Sequence, residues 1–122
     1  LAKWAKIKGI DLLGTGDFLH PLWFAELKQN LRELGNGLYE ADGVKFLLTN
    51  EISCIYSDKG KTRRIHLVVF MPSLDSVSKL SAELIKRKVN LASDGGFLYL
   101  VLCPVMIFLR NVLKSCLIKF LP

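Results

Sequence analysis

The sequence predicts an α/β protein, and three stretches carry the prediction. A helical stripe closed by Gly9 runs directly into Ile10-Asp11-Leu12-Leu13-Gly14, the helix-to-strand joint of that class. Two runs rich in β-branched residues, 44–57 and 63–72, flank Asp58-Lys59-Gly60-Lys61, the pattern of two strands joined by a tight turn. After them, residues 74–85 return to helical spacing.

The elements follow in order. Leu1, Trp4, Ala5 and Lys8 fall at i, i+3, i+4 and i+7, so the chain opens on a helix, and Gly9 is a natural stop for it. Residues 10–14 read as a short strand. Gly14-Thr15-Gly16 allows a turn at its end, and Pro21 suits the first position of a helix. Trp23, Leu27, Leu31 and Leu34 share one face, which predicts a helix over 21–34 ended by Gly35. Asn36-Gly37 and Asp42-Gly43 are turns, and 38–40 between them has no definite type. The strand pair comes next. Ser73 is then an N-cap, and Leu74, Val77, Leu80, Leu84 and Ile85 form the apolar stripe of a helix. Lys86-Arg87-Lys88 closes that helix, where cations oppose the negative end of its dipole or meet DNA phosphates.

A chain of 122 residues is one domain or part of a larger one, and 51% hydrophobic residues suffice for a core. The net charge of +6 is compatible with a polyanionic partner such as DNA. Three Cys (Cys54, Cys103, Cys116) without C-x-x-C spacing predict neither a disulfide framework nor a four-Cys zinc site. A reducing, cytoplasmic setting is expected, and no secretory signal opens the chain. The first residue is not Met and the chain starts in mid-helix, so it reads as a fragment of something longer.

Four residues stand out chemically. Glu51 interrupts an apolar run, and a carboxylate in a buried strand is costly unless it is paired or binds a cation. His66 opens the second apolar run, and Glu with His is an ordinary ligand set for Zn, Mn or Fe. The competing reading puts Glu51 at a strand edge in water and makes His66 a satisfied core imidazole. Asp17 and His20 lie in the loop that leaves the first strand, where parallel α/β folds bind ligands. Their competing reading is a helix cap and a plain loop residue. The Gly-x-Gly beside them lacks the third glycine of a dinucleotide fingerprint and the Gly-Lys-Ser/Thr of a P-loop.

The run Gly9-Ile10-Asp11-Leu12-Leu13-Gly14-Thr15-Gly16-Asp17-Phe18-Leu19-His20-Pro21 resembles the second metal motif of a PHP (polymerase and histidinol phosphatase) domain, in the Gly-Thr-Gly-Asp-Phe-Thr-His-Pro form found in the endonuclease Q family. Asn36-Gly37-Leu38-Tyr39, Phe46-Leu47-Leu48-Thr49-Asn50-Glu51-Ile52-Ser53, Ile55-Tyr56, Ile65-His66 and Leu91-Ala92-Ser93-Asp94-Gly95 are similar to that family in the same order. The resemblance spans residues 1–95. It implies a partial, distorted β/α barrel of about three βα units, with divalent metals (Zn, also Mn or Mg) at the carboxyl ends of its strands. Asp17 and His20 would fall on the second motif, Glu51 on a bridging carboxylate and His66 on the next His ligand. Asp17 and Glu51 would also act in the chemistry. Clustered metals would turn a bound water into a nucleophile toward a phosphodiester. The implied substrate is DNA with deaminated bases (uracil, hypoxanthine) or abasic sites, nicked on the 5′ side of the lesion with the damaged base extruded.

The departures are as informative. The family's opening His-x-His, a later His and a final Asp-x-His do not occur, since His20 and His66 are the only histidines. At most an incomplete metal site is expected, and an inactive isolated chain. The pattern fails at Gly96. All 11 acidic residues lie at or before Asp94, whereas residues 95–122 hold none and carry Arg110, Lys114 and Lys119. Residues 96–122 are thus a separate apolar, basic tail, expected to be helical and read as out-of-frame or mis-spliced continuation. Its uncharged stretch 97–109, interrupted by Pro104, is short of the roughly 20 residues a membrane-spanning helix needs. The rival to an endonuclease fragment is a non-enzymatic α/β module that uses this tail to bind a membrane or a partner.

Overall fold

A computed structural model describes residues 1–92, without the side chains of 54–58 and 65; the proposed tail lies outside the described residues. The order of elements is α1 (Ala2–Ile7), β1 (Leu12–Gly14), α2 (Pro21–Asn30), β2 (Arg32–Gly35), β3 (Leu38–Ala41), β4 (Val44–Asp58), β5 (Lys61–Met71) and α3 (Leu74–Lys86). The result is a mixed α/β fold with a curled half-barrel sheet.

β4 organises the sheet. Lys45, Phe46 and Leu47 lie between two partners: β1 runs parallel to them, with Leu12 opposite Lys45 and Gly14 opposite Leu47, and β3 runs antiparallel. From Leu48 onward β4 pairs with β5, antiparallel, in unbroken register from Leu48–Met71 to Asp58–Lys61. Among the described strands, β1–β4 is the parallel pair and the other pairings are antiparallel. The sheet is therefore mixed, and a strand leads into a helix at β1–α2 and β5–α3.

Three two-residue turns set the antiparallel registers. Asn36-Gly37, Asp42-Gly43 and Lys59-Gly60 all hold positive φ at both positions (53° and 76°, 50° and 74°, 48° and 76°), the backbone that matches the right-handed twist of hairpin strands. The first of them corrects the expected helix over 21–34. α2 ends at Asn30, Leu31 is already extended, and Arg32–Gly35 forms β2 against β3. The tight turn at Asn36-Gly37 makes the preceding residues a strand partner, and an Arg32–Glu40 ion pair of 2.5 Å spans the hairpin. The ambiguous stretch 38–40 falls inside β3 for the same reason.

The core gathers Phe18, Leu19 and Leu27 with Tyr39, Phe46, Leu48, Ile52, Val69 and Met71, closed by Val77, Leu80 and Leu84 of α3. Ser73 caps α3 as expected: its Oγ accepts the N–H of Ser76 at 3.1 Å. Ile85, assigned to the apolar stripe, is 61% exposed instead. Among the described residues, no helix is long and apolar enough to cross a membrane.

Candidate functional site

The register of β4 with β5 decides which side chains share a face. Directly opposed residues project to the same side, and neighbours along a strand alternate. Glu51 opposes Val68 and Ser53 opposes His66, so these four share one face with Thr49 and Phe70. Leu48, Asn50, Ile52, Val69 and Met71 project to the other face and are buried. The first face is open: Val68 and Phe70 are 61% and 57% exposed.

On that open face Glu51 and His66 meet diagonally across the strands. Glu51 Oε1 lies 2.5 Å from His66 Nδ1, and Ser53 Oγ lies 3.0 Å from the same nitrogen. An ionised carboxylate only accepts, so Nδ1 carries the proton and donates it to Glu51. In the neutral ring this leaves Nε2 as a free lone pair, and no described residue bonds it. A carboxylate that fixes the tautomer of a half-exposed histidine is the usual support for a histidine that ligates a metal or takes up a proton through its second nitrogen. Glu51 is exposed, as the competing reading had it, yet it is paired with His66, and His66 is a half-exposed partner and not a core imidazole.

Asp17 and His20 sit in the loop between β1 and α2. Asp17 is exposed, in left-handed backbone at φ 36°, and its carbonyl accepts the N–H of His20 at 2.9 Å. The N-cap of α2 is His20 itself, without a side-chain bond, so Asp17 does not cap the helix. This loop is strapped to β4 immediately before Glu51. Thr49 Oγ1 accepts the N–H of Gly16 at 2.9 Å, the Thr49 N–H donates to Thr15 Oγ1 at 3.1 Å, and Asn50 Oδ1 accepts the N–H of Leu19 at 2.9 Å. The indole N–H of Trp23 is shared between the carbonyls of Thr15 and Gly16, at 3.2 and 3.0 Å. Thr49, Asn50, Ser53 and Trp23 are thus supporting residues that the sequence reading passed over. The signal for Thr49 and Asn50 was two polar residues directly ahead of Glu51 in an otherwise apolar run.

The donor set can be tested against a metal. Glu51 and His66 are brought together, but among the described residues no three His, Cys, Asp or Glu side chains form a group that could hold an ion. A catalytic zinc takes three protein ligands, so the described donors do not make a complete centre. A hollow of about 230 Å³ lined by Leu1, Trp23, Leu27, Leu31 and Phe46 includes none of the four candidate residues.

Similar proteins place this geometry in context. No protein-family model matches the chain. An uncharacterized protein of Methanocaldococcus jannaschii is 32% identical over 96 residues, which is 78% of this chain and 10% of that protein. The crystal structure of a lesion-specific endonuclease from Pyrococcus furiosus aligns with a TM-score of 0.69 at 29% identity, over 91% of this chain and 26% of that one. Endonuclease Q in complex with a 27-mer duplex that carries an abasic lesion at the active site aligns with a TM-score of 0.71 at 32% identity, over 91% of this chain and 27% of that one. The structures that this chain resembles are those of endonuclease Q, and it spans about a quarter of their length.

Proposed function

We propose that the chain is part of a metal-dependent DNA endonuclease of the endonuclease Q kind, with residues 1–95 forming a partial PHP-type barrel. The observation that carries this reading is the Glu51–His66 pair, held on an open strand face in a fold similar to an endonuclease with abasic DNA at its active site. A divalent ion (Zn, Mn or Mg) would take a His66 ring nitrogen and the Glu51 carboxylate, the hydrogen bond between the two opening to admit it, and Asp17 and His20 come from the loop strapped beside them. The DNA would carry an abasic site or a deaminated base, uracil or hypoxanthine, and be cut 5′ of it. Extrusion of the damaged base would let the lesion reach the open face. Two donors leave the ion short of ligands, so no hydrolytic step is assigned to these residues, and the isolated chain is expected not to cut. The rival reading, membrane or partner binding, rests on residues 96–122, outside the described residues.

The test uses the purified chain, zinc or manganese, and an end-labelled duplex with one abasic site. Weak binding of a single ion, lost in His66→Ala, with no nicking by the chain alone, is the expected result. Equal metal uptake by the wild type and the Glu51→Gln/His66→Ala double variant would defeat the assignment.

A further inference from the structure

Beyond Ser53 and Leu67 the β4–β5 hairpin has no described buried residue, yet the ladder continues to Asp58–Lys61. This outer part carries Lys59, Lys61, Arg63 and Arg64, all exposed, four cations in six residues. None of them forms an ion pair with a described residue. Lys79 and Lys86 on α3 and Arg87 at its end pair with carboxylates of that helix; what sets the hairpin cations apart from the other exposed lysines is that four fall within six residues.

The turn strengthens the contrast. Lys59 adopts φ 48° in the position that Asn36 and Asp42 fill in the other two hairpins, and Asn and Asp tolerate left-handed backbone better than Lys does. A lysine here costs the hairpin some stability and puts a charge at its extreme tip. Arg63 and Arg64 are neighbours on one strand and project to opposite faces. A two-stranded ribbon of this width fits the major groove of a duplex, where phosphates line both walls. Arg64 shares the open face with His66, two residues along β5. From Glu51 to the tip at Asp58 the strand runs about 23 Å at its ordinary rise, the length of about seven base pairs.

We propose that the outer β4–β5 hairpin is a phosphate-binding ribbon for duplex DNA, with Lys59, Lys61, Arg63 and Arg64 gripping the backbone about seven base pairs from the point where the duplex meets Glu51 and His66. The proposal rests on the DNA reading above, but it needs neither a metal nor a cut strand.

The experiment measures binding of the whole chain to an undamaged, fluorescently labelled 20-base-pair duplex by anisotropy, without metal, across a salt series. Each phosphate neutralised contributes about −0.9 to the slope of log K against log salt. Arg63→Gln/Arg64→Gln is expected to weaken binding at least tenfold at low salt and to flatten the slope by about 2. Lys3→Gln/Lys8→Gln, with the same change in net charge on α1, is expected to leave both nearly unchanged. Lys59→Asn is expected to weaken binding while raising the unfolding midpoint, a combination that a purely structural role would not produce. Failure of the wild type to bind, or equal weakening by the α1 and hairpin variants, overturns the proposal. The endonuclease reading stands or falls separately, on metal uptake by Glu51 and His66.

Discussion

Asn50 Oδ1 accepts the backbone N–H of Leu19 at 2.9 Å, across 31 residues of sequence. Asn50 is 2% exposed, and its own amide donates to the Glu51 carbonyl at 2.8 Å. One buried side chain therefore fixes both the loop that carries Asp17 and His20 and the backbone of Glu51. Asn50→Ala leaves the buried Leu19 N–H without an acceptor, which costs about 1–3 kcal/mol. Asn50→Asp keeps an acceptor oxygen for Leu19 but buries a charge and turns an oxygen toward the Glu51 carbonyl, so it should be destabilised at least as much as Asn50→Ala at neutral pH. Urea unfolding of the two variants checks the order, and equal stability of Asn50→Ala and wild type would refute it.

The approach of β1 to β4 depends on Gly14. A Cβ on Gly14 would stand 2.6 Å from Thr49 Oγ1 and 3.1 Å from Thr49 Cγ2. Gly14→Ala must therefore displace Thr49, which bonds the Gly16 N–H, and a loss of about 1–3 kcal/mol is expected. Thr49→Ala clears the space but gives up that bond. The double variant should be less destabilised than the sum of the singles, because the overlap no longer exists. A double-mutant cycle by denaturant titration tests this, and strict additivity would contradict it.

Glu51 and His66 should matter more to ligands than to stability. Both are at least half exposed, at 57% and 50% for the two side chains. An exposed pair of this kind contributes up to about 1 kcal/mol. Glu51→Gln and His66→Ala should each shift unfolding by less than that and each weaken zinc or manganese binding tenfold or more. Calorimetric titration beside thermal unfolding reads both. A large stability loss with unchanged metal binding would make the pair a fastener between strands.

Much of this architecture was legible in local chemistry. Asn36-Gly37 and Asp42-Gly43 marked their turns, Ser73 its cap, and the β-branched runs around Lys59-Gly60 gave the long hairpin. The 21–34 helix was over-extended because Leu31 and Leu34 continue the helical spacing of Trp23 and Leu27. What overrode that spacing is the pairing of Arg32–Gly35 with β3, a contact that a local window does not contain. The site was legible as residue types but not as geometry. That Glu51 and His66 meet follows from the strand register, with Ser53 opposite His66, and the register is fixed by the turn at Lys59-Gly60. The supporting roles of Thr49 and Asn50 depend on the parallel approach of β1, which no local pattern encodes.

Tyr39 is 1% exposed, and its hydroxyl accepts the N–H of Leu74 at 3.1 Å, one of the donors that the first turn of α3 leaves without a helical partner. Burial raises the Tyr39 pKa above its ordinary value of 10.0; the Leu74 N–H opposes that rise, and the nearby Glu33 charge adds to it. A raised pKa on a phenol means that folding favours the neutral form. The resulting stabilisation is fully present below the unfolded value near 10 and is lost as pH climbs through the higher folded value. Unfolding free energy should therefore fall above pH 10, and less steeply in Tyr39→Phe. At neutral pH the same variant should lose about 1–3 kcal/mol, because the Leu74 N–H then has no acceptor. Urea titrations of both proteins between pH 7 and pH 11 read the two effects together. Parallel pH profiles would show that Tyr39 ionises as freely in the folded chain as in the unfolded one.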